Sequence, residues 1–275
     1  MYFSFVFGEL LVSVPSGLVS YCYNEQIHSN VDSFRDKVDK IGNTGVKVYN
    51  SLLNKDFIDS IHTLPLYGQV KVGIFGGGAF RTINWNKMTH ERSIEAAKYI
   101  GKIIAANRIP VVSVIVGLPG LASNISVQLG LPVIRVSAIQ WVPETIKDIP
   151  GYYLATTTFT DTNILFQLLI DFFIFLPGGS VTLQELFLTI NEQYLAVDGG
   201  LVPKNVFIVN IDGFFNSDIK RADLKSTRAK QFVFVVNTVS ELLELLIAKD
   251  IVAINTRNRI KKVNNRLKQI QSQLR

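Results

Sequence analysis

The chain has 275 residues, of which 48% are hydrophobic and 18% charged. That is enough apolar material for a sizeable core, and it excludes a disordered chain. The single cysteine, Cys22, excludes an internal disulfide framework, and the widely spaced His28, His62 and His90 argue against a histidine metal site. The net charge of +6 belongs to one segment: residues 256–275 hold Arg257, Arg259, Lys261, Lys262, Arg266, Lys268 and Arg275 without a carboxylate, and the rest of the chain carries −1.

Residues 1–67 read as an N-terminal extension packed on a core. Their first 23 residues are apolar with one charge, Glu9. They lack a basic start, and Pro15-Ser16-Gly17 interrupts the run, so buried strands and a turn are expected rather than a membrane anchor. Phe34, Val38 and Ile41 suit an amphipathic helix ended by Gly42, and Leu52, Phe57 and Ile61 suit another.

From about residue 68 the pattern changes. Short apolar runs at Val70–Phe75, Pro110–Val116, Pro132–Ala138, Tyr153–Thr157, Phe172–Leu176, Asn205–Asn210 and Gln231–Val236 alternate with longer segments. Near-continuous apolar strands are what a parallel sheet covered on both faces requires. Thr89–Asn107 predicts a helix with Ile94, Ala97, Ile100 and Ile104 on its inner face. Ser180 to about Leu195 predicts a second, with Leu183, Phe187 and Ile190 inward, and Val239–Ala248 a third. Ile164–Leu176 is too short to span a bilayer and reads as a helix end followed by a strand. The expected fold is α/β: a doubly wound, mostly parallel, Rossmann-like sheet with helices on both faces over residues 68–255. Residues 256–275 form a basic tail helix.

Three glycine clusters are candidates for a ligand site. Pro177-Gly178-Gly179 follows an apolar strand and opens a helix beginning Ser180-Val181-Thr182. Glycines allow close backbone approach, and unpaired N–H groups at a helix start suit phosphate. Ser180 and Thr182 add hydroxyl donors, and Glu185 lies one turn further on, within reach of a sugar. Gly76-Gly77-Gly78, with Arg81 nearby, follows the first core strand. It is not a Walker loop, because no Gly-Lys-Ser/Thr follows. Gly117 and Gly120 punctuate the segment after the second strand.

The segment Pro177-Gly-Gly-x-x-Thr182-x-x-Glu185 resembles the Pro-Gly-Gly-x-Gly-Thr-x-x-Glu signature of the Lonely Guy family, nucleoside 5′-monophosphate phosphoribohydrolases long mislabelled as lysine decarboxylases. Asn210-Ile-Asp212-Gly213-Phe-Phe-Asn216, closing a later strand, is similar to that family's Asn-x-Asp-Gly-Tyr-Tyr-Asn, and the resemblance covers roughly residues 70–225. It implies a nucleoside monophosphate ligand held at Gly178, Gly179, Ser180, Val181 and Thr182, with Gly76–Gly78, Arg81, Gly117 and Gly120 around it and Glu185 as the catalytic carboxylate. The base–ribose bond would be the one cleaved.

The departures are specific. Val181 stands where the family has glycine. The family's Arg-Lys pair falls on Thr162 and Asn163, and no positive charge occurs from Asp148 to Pro203. The segment 117–123 keeps only part of the family's triple glycine. A non-catalytic nucleotide- or cofactor-binding protein is therefore the alternative, and an assembly protein acting through the tail a third. No metal or redox cofactor is implied. A homodimer, a cytoplasmic location and no membrane partner are expected.

In the tail, Ile260, Val263, Leu267, Ile270 and Leu274 make a heptad seam. A helix docked on the domain is expected there rather than a nucleic-acid helix, because no aromatic residue interleaves with the basic ones.

Overall fold

The computed structural model describes residues 2–7, 10–15, 47–49, 69–77, 87–114, 116–138, 152–156, 158–222, 224 and 226–273. The helices placed by pattern at 34–41 and 52–61, together with Cys22, His28 and His62, lie outside the described residues. The chain divides into two compact units, Met1–Gly45 and Val46–Arg275. In the first, β1 (Tyr2–Phe7) and β2 (Leu10–Pro15) pair antiparallel.

The second unit is built on an eight-stranded sheet. Its strands are β3 (Lys47–Tyr49), β4 (Val72–Phe75), β5 (Val111–Ser113), β6 (Val133–Ala138), β7 (Tyr152–Thr156), β8 (Phe172–Phe175), β9 (Asn205–Val209) and β10 (Val233–Val236). Every pairing in this sheet is parallel. The spatial order is β10-β9-β8-β4-β5-β6-β7-β3. All seven core strands expected from the apolar runs are present. Strand β3, read with the N-terminal extension, instead pairs with β7 and shares a unit with the core.

The helices are α1 (Lys87–Ala106), α2 (Gly117–Gln128), α3 (Phe159–Leu169), α4 (Ser180–Asp198), α5 (Asn216–Arg221), α6 (Val239–Ala248) and α7 (Thr256–Gln273). They cover the two faces of the sheet in separate layers. One layer packs Ala97, Ile100 and Ile104 of α1, Leu118 and Ala122 of α2 and Leu242 and Leu246 of α6 against Ile74, Ile174 and Phe207. The other packs Leu165, Phe166 and Leu169 of α3, Leu186 and Ile190 of α4 and Ile219 of α5 against Phe75, Phe173 and Phe175. This two-sided cover explains why the strands are continuously apolar. It is the doubly wound α/β fold. No helix of the described residues is long and apolar enough to cross a membrane.

Two local readings change. Residues 117–123 form the opening turns of α2 rather than a glycine loop. Pro119 is compatible with a first turn, where its missing N–H has no helical partner to lose. In α4 Ile190 is buried as expected and Leu183 packs against the same core, but the most buried face is centred elsewhere. Thr182, Glu185, Leu186, Thr189, Ile190 and Gln193 are buried, whereas Leu183 and Phe187 are only partly so. Leu188 and Leu195 remain exposed. The helix is apolar on more than one side, so hydrophobic spacing alone marked only part of the inward face.

The tail helix α7 docks on the domain. Its Ile260 and Leu267 are buried, with Ile260 part of the α1 layer. Its start is pinned to the end of α1: the Asn107 amide oxygen accepts from Ala253 N–H (3.0 Å) and from the Thr256 hydroxyl (3.1 Å).

Candidate functional site

Strand order points to a candidate site before any side chain is considered. From β4 the chain runs outward through β5, β6 and β7, then returns to the other side of β4 with β8 and continues to β9 and β10. The connections leaving β4 and β8 lead to opposite faces, to α1 and α4. The carboxyl ends of β4 and β8 therefore flank a topological switch point, where open parallel sheets bind ligands. Two of the three glycine clusters sit directly on those ends.

The clusters converge in space. Gly77 N–H donates to the Pro177 carbonyl (2.9 Å), and the Gly77 carbonyl accepts from Leu118 N–H (3.0 Å), so the loop after β4 is stitched to the turn after β8 and to the start of α2. The packing tolerates little else. A Cβ on Gly178 would collide with the Thr182 hydroxyl and come within 2.8 Å of Gly77 N, while one on Gly76 would meet Leu176 Cβ at 3.0 Å. These glycines permit close approach of backbone to backbone. Beneath them Phe75 and Phe175, on adjacent strands, stack with ring centroids 4.7 Å apart. Gly117 takes a positive φ of 71° at the start of α2. Gly120 is buried within that helix, and its N–H donates to Val116 (3.3 Å). Gly78 and Arg81 lie outside the described residues.

Helix α4 begins without a side-chain cap. Gly179 is its N-cap residue, and the Gly179 carbonyl accepts from Leu183 N–H (3.0 Å). Among the described residues no side chain is bound to the N–H groups of the first turn, and the helix dipole adds partial positive charge there. Val181 lies in this first turn, exposed and with no positive φ, so this backbone does not need a glycine there. Ser180 is exposed and Thr182 buried.

The inner face of α4 carries a polar stripe of Thr182, Glu185, Thr189 and Gln193, all buried. Its far end is satisfied. Gln167 of α3 donates to the Thr189 hydroxyl (2.9 Å), and Gln193 accepts from Lys204 N–H (2.7 Å). Its near end, at the switch point, differs. Among the described residues no hydrogen bond or ion pair reaches Glu185, which is 6% exposed. Burial alone pushes its carboxyl up to about 8, so it holds its proton at neutral pH.

No described cation compensates this carboxyl. Thr162 and Asn163 of α3, at the position of the family's Arg-Lys pair, are both buried. The Thr162 hydroxyl bonds Thr156 Oγ1 (2.5 Å), and Asn163 Nδ2 has no partner among the described residues. Lys204, the first cation after the stretch without positive charge, donates to the carbonyls of Gln167 (2.5 Å) and Ile170 (2.6 Å), just before β8 begins. That is the amino end of the strand, opposite the site. Burial lowers its pKa despite the nearby Asp171.

The second motif, 210–216, closes β9 beside β8. Asn210 Oδ1 accepts from Phe215 N–H (2.7 Å), and Asn210 Nδ2 donates to Asn216 Oδ1 (2.9 Å). Asp212 and Gly213 both take positive φ, of 52° and 73°, and a Cβ on Gly213 would come within 2.5 Å of Asn216 Nδ2. The motif thus folds as a self-bonded turn. Asp212 accepts from the Thr89 hydroxyl of α1 (2.9 Å) and pairs with Arg92. These bonds hold its carboxyl below the usual range, the Thr89 bond most. A cavity of about 620 Å3 opens alongside, between α1 and the turns after β9 and β10, with Arg92, Tyr99, Lys102 and Asp212 in its wall. Spacing in the sequence gave no sign of this cavity, because its wall comes from three separated segments.

Sequence reading also passed over Arg135 on β6. It is 1% exposed and donates to Ser123 Oγ (3.2 Å) and Asn124 Oδ1 (3.0 Å) of α2. A lone arginine in an apolar strand was its only signal.

Comparison of the sequence with known protein families and with curated proteins finds no match. Among solved structures, the chain is similar to the molybdenum cofactor binding protein from Rippkaea orientalis, at 19% identity and a TM-score of 0.49, over 66% of this chain and 96% of that one. It is likewise similar to the Moco carrier protein from Chlamydomonas reinhardtii, at 19% identity and a TM-score of 0.47, over 66% of this chain and 99% of that one.

Proposed function

We propose that this protein binds a phosphorylated ligand of the nucleoside 5′-monophosphate class at the switch point, and that it cleaves the base–ribose bond weakly or not at all. The phosphate rests on the first-turn N–H groups of α4 around Gly179–Thr182, with Gly76 and Gly77 beside it, and Arg81 is the cation that the sequence offers to it. The uncapped helix start and the switch-point topology support the binding half.

The state of Glu185 carries the other half. An N-glycosidic cleavage builds positive charge on the sugar, and an ionised carboxylate stabilises that charge. Glu185 is protonated at neutral pH and has no described cation near it. A phosphate dianion arriving close by favours the proton still more. The group therefore serves as a hydrogen-bond donor to a ligand oxygen, a binding role. Loss of one preorganised charged contact typically costs about two to three orders of magnitude in rate, which is why turnover is expected to be weak.

The test is calorimetry with adenosine and its 5′-monophosphate, alongside free-base release by wild type, Glu185→Gln and Arg81→Ala. The monophosphate binds more tightly, and little base is released. Equal affinity for the two ligands removes the phosphate role. Family-level turnover that persists in Glu185→Gln overturns the assigned site.

The same raised pKa favours a second reading, in which protonated Glu185 acts as a general acid toward the leaving base. Turnover would then be measurable near neutral pH, lost in Glu185→Gln, and would fall as pH rises through about 8.

A further inference from the structure

The docked tail helix presents an organised charged surface. Helix α7 buries one side, Thr256, Ile260 and Leu267, so its opposite side faces solvent. Advancing near 100° per residue, the outer surface falls into three parallel strips. Arg257, Lys261 and Lys268 form one flank, and Arg259, Lys262 and Arg266 the other. Between them run Asn258, Asn265, Gln269 and Ser272. All ten are exposed. Arg257 pairs with Glu244 of α6. Among the described residues the other five cations have no ion pair.

Three features narrow the partner. The helix is held at a fixed orientation by its buried seam and by the Asn107 bonds, so its cations are displayed on a rigid element. The seam is also what a bilayer-binding helix would bury in lipid, and here the α1 layer occupies it. The outward ridge between the cation rows consists of amides and a hydroxyl, which hydrogen-bond in both directions. A rod of about 10–12 Å diameter with such a ridge matches a major groove about 12 Å wide. The flanking rows then meet the phosphates on either side. At 18 residues and 1.5 Å per residue, the helix is about 27 Å long, or about eight base-pair steps of 3.4 Å.

We propose that α7 is a docking surface for B-form duplex DNA, with Arg259, Lys261, Lys262, Arg266 and Lys268 on the phosphates and Asn265 and Gln269 toward the groove floor. It is independent of the Pro177–Thr182 turn. Duplex RNA is disfavoured, because side chains cannot enter its deep, narrow major groove.

The experiment is fluorescence anisotropy of the full chain with a labelled duplex DNA across a salt series. Five phosphate contacts give a slope of log K against log salt near −4 to −5. The variant Lys261→Gln/Lys262→Gln/Arg266→Gln/Lys268→Gln changes only exposed side chains. It should leave the unfolding transition in place and make the slope shallower by about 3 to 4. Asn265→Ala/Gln269→Ala should weaken binding several-fold with the slope unchanged. No binding at low salt overturns the proposal. So does an unaltered slope in the four-residue variant, equal affinity for duplex RNA, or equal retention on vesicles rich in anionic lipid. Nucleotide binding, followed in parallel, should be the same in all variants.

Discussion

Two helices start at the carboxyl edge of this sheet in opposite ways. Helix α6, after β10, closes its own end. The Thr238 hydroxyl accepts from Glu241 N–H (3.2 Å), and Glu241 reaches back to accept from Asn237 N–H (2.9 Å). This is a variant of the capping box, with the carboxylate on the N–H of the residue before the N-cap. Helix α4, after β8, has Gly179 at its N-cap and, among the described residues, no side chain on its first-turn donors. The protein thus uses side chains to finish one helix at the sheet's edge and, among the described residues, leaves another uncapped at the topological switch point. The same contrast runs below the surface. The polar stripe of α4 is satisfied by Gln167 and Lys204 at its far end, whereas Glu185 at the crevice end is not.

The largest expected effect comes from removing the unsatisfied group. Glu185 has an ordinary pKa of 4.5, raised in the fold to about 8. The stability associated with its proton is fully present below the unfolded pKa and is lost as pH rises toward the folded one. Wild type should therefore lose stability between about pH 4.5 and 8, and level off above. Glu185→Gln cannot ionise. Its advantage over wild type should grow through that window to a few kcal/mol, on the scale of about 1.4 kcal/mol per pKa unit as an upper bound. Urea unfolding at pH 5 and pH 8 measures this. An equal offset at both pH values would mean that the carboxyl is already ionised in the fold.

Next in size is Gly178→Ala. The new Cβ meets the Thr182 hydroxyl and the Gly77 backbone, and overpacking of this kind costs about 1–3 kcal/mol. Monophosphate binding should disappear with it, because the clash displaces the turn itself. Unchanged affinity by calorimetry would place the ligand elsewhere.

Thr238→Ala probes the finished helix start. Loss of that cap should cost about 1 kcal/mol with no change in monophosphate affinity. A drop in affinity would mean that the two helix starts are coupled.

The smallest and most discriminating change is Gly179→Ser, which gives α4 the kind of cap that α6 already has. The φ of −83° at Gly179 suits any residue. Stability should rise by about a few tenths of a kcal/mol, while monophosphate affinity falls if the serine hydroxyl occupies the donors proposed for the phosphate. Higher stability with unaltered affinity would separate phosphate binding from these N–H groups.

Much of this was written in the sequence. The apolar runs marked all seven core strands, because a strand buried on both faces must be apolar at nearly every position. Gly-Gly after Phe172–Leu176 marked the turn at the switch point, since few other residues permit so close an approach of two backbones. The heptad seam of α7 marked docking.

Tertiary structure decided the rest, because the deciding quantities depend on partners far away in the chain. Residues 117–123 read as a glycine loop until the Gly77 carbonyl bound Leu118 N–H at the start of a helix. The inward face of α4 depends on which side α3 and the sheet approach, and apolar residues on several sides left that open. Strand order, which brings the ends of β4 and β8 together, rests on pairings between residues about a hundred positions apart. The protonation of Glu185 is set by burial, a property of the surrounding fold that no local motif encodes.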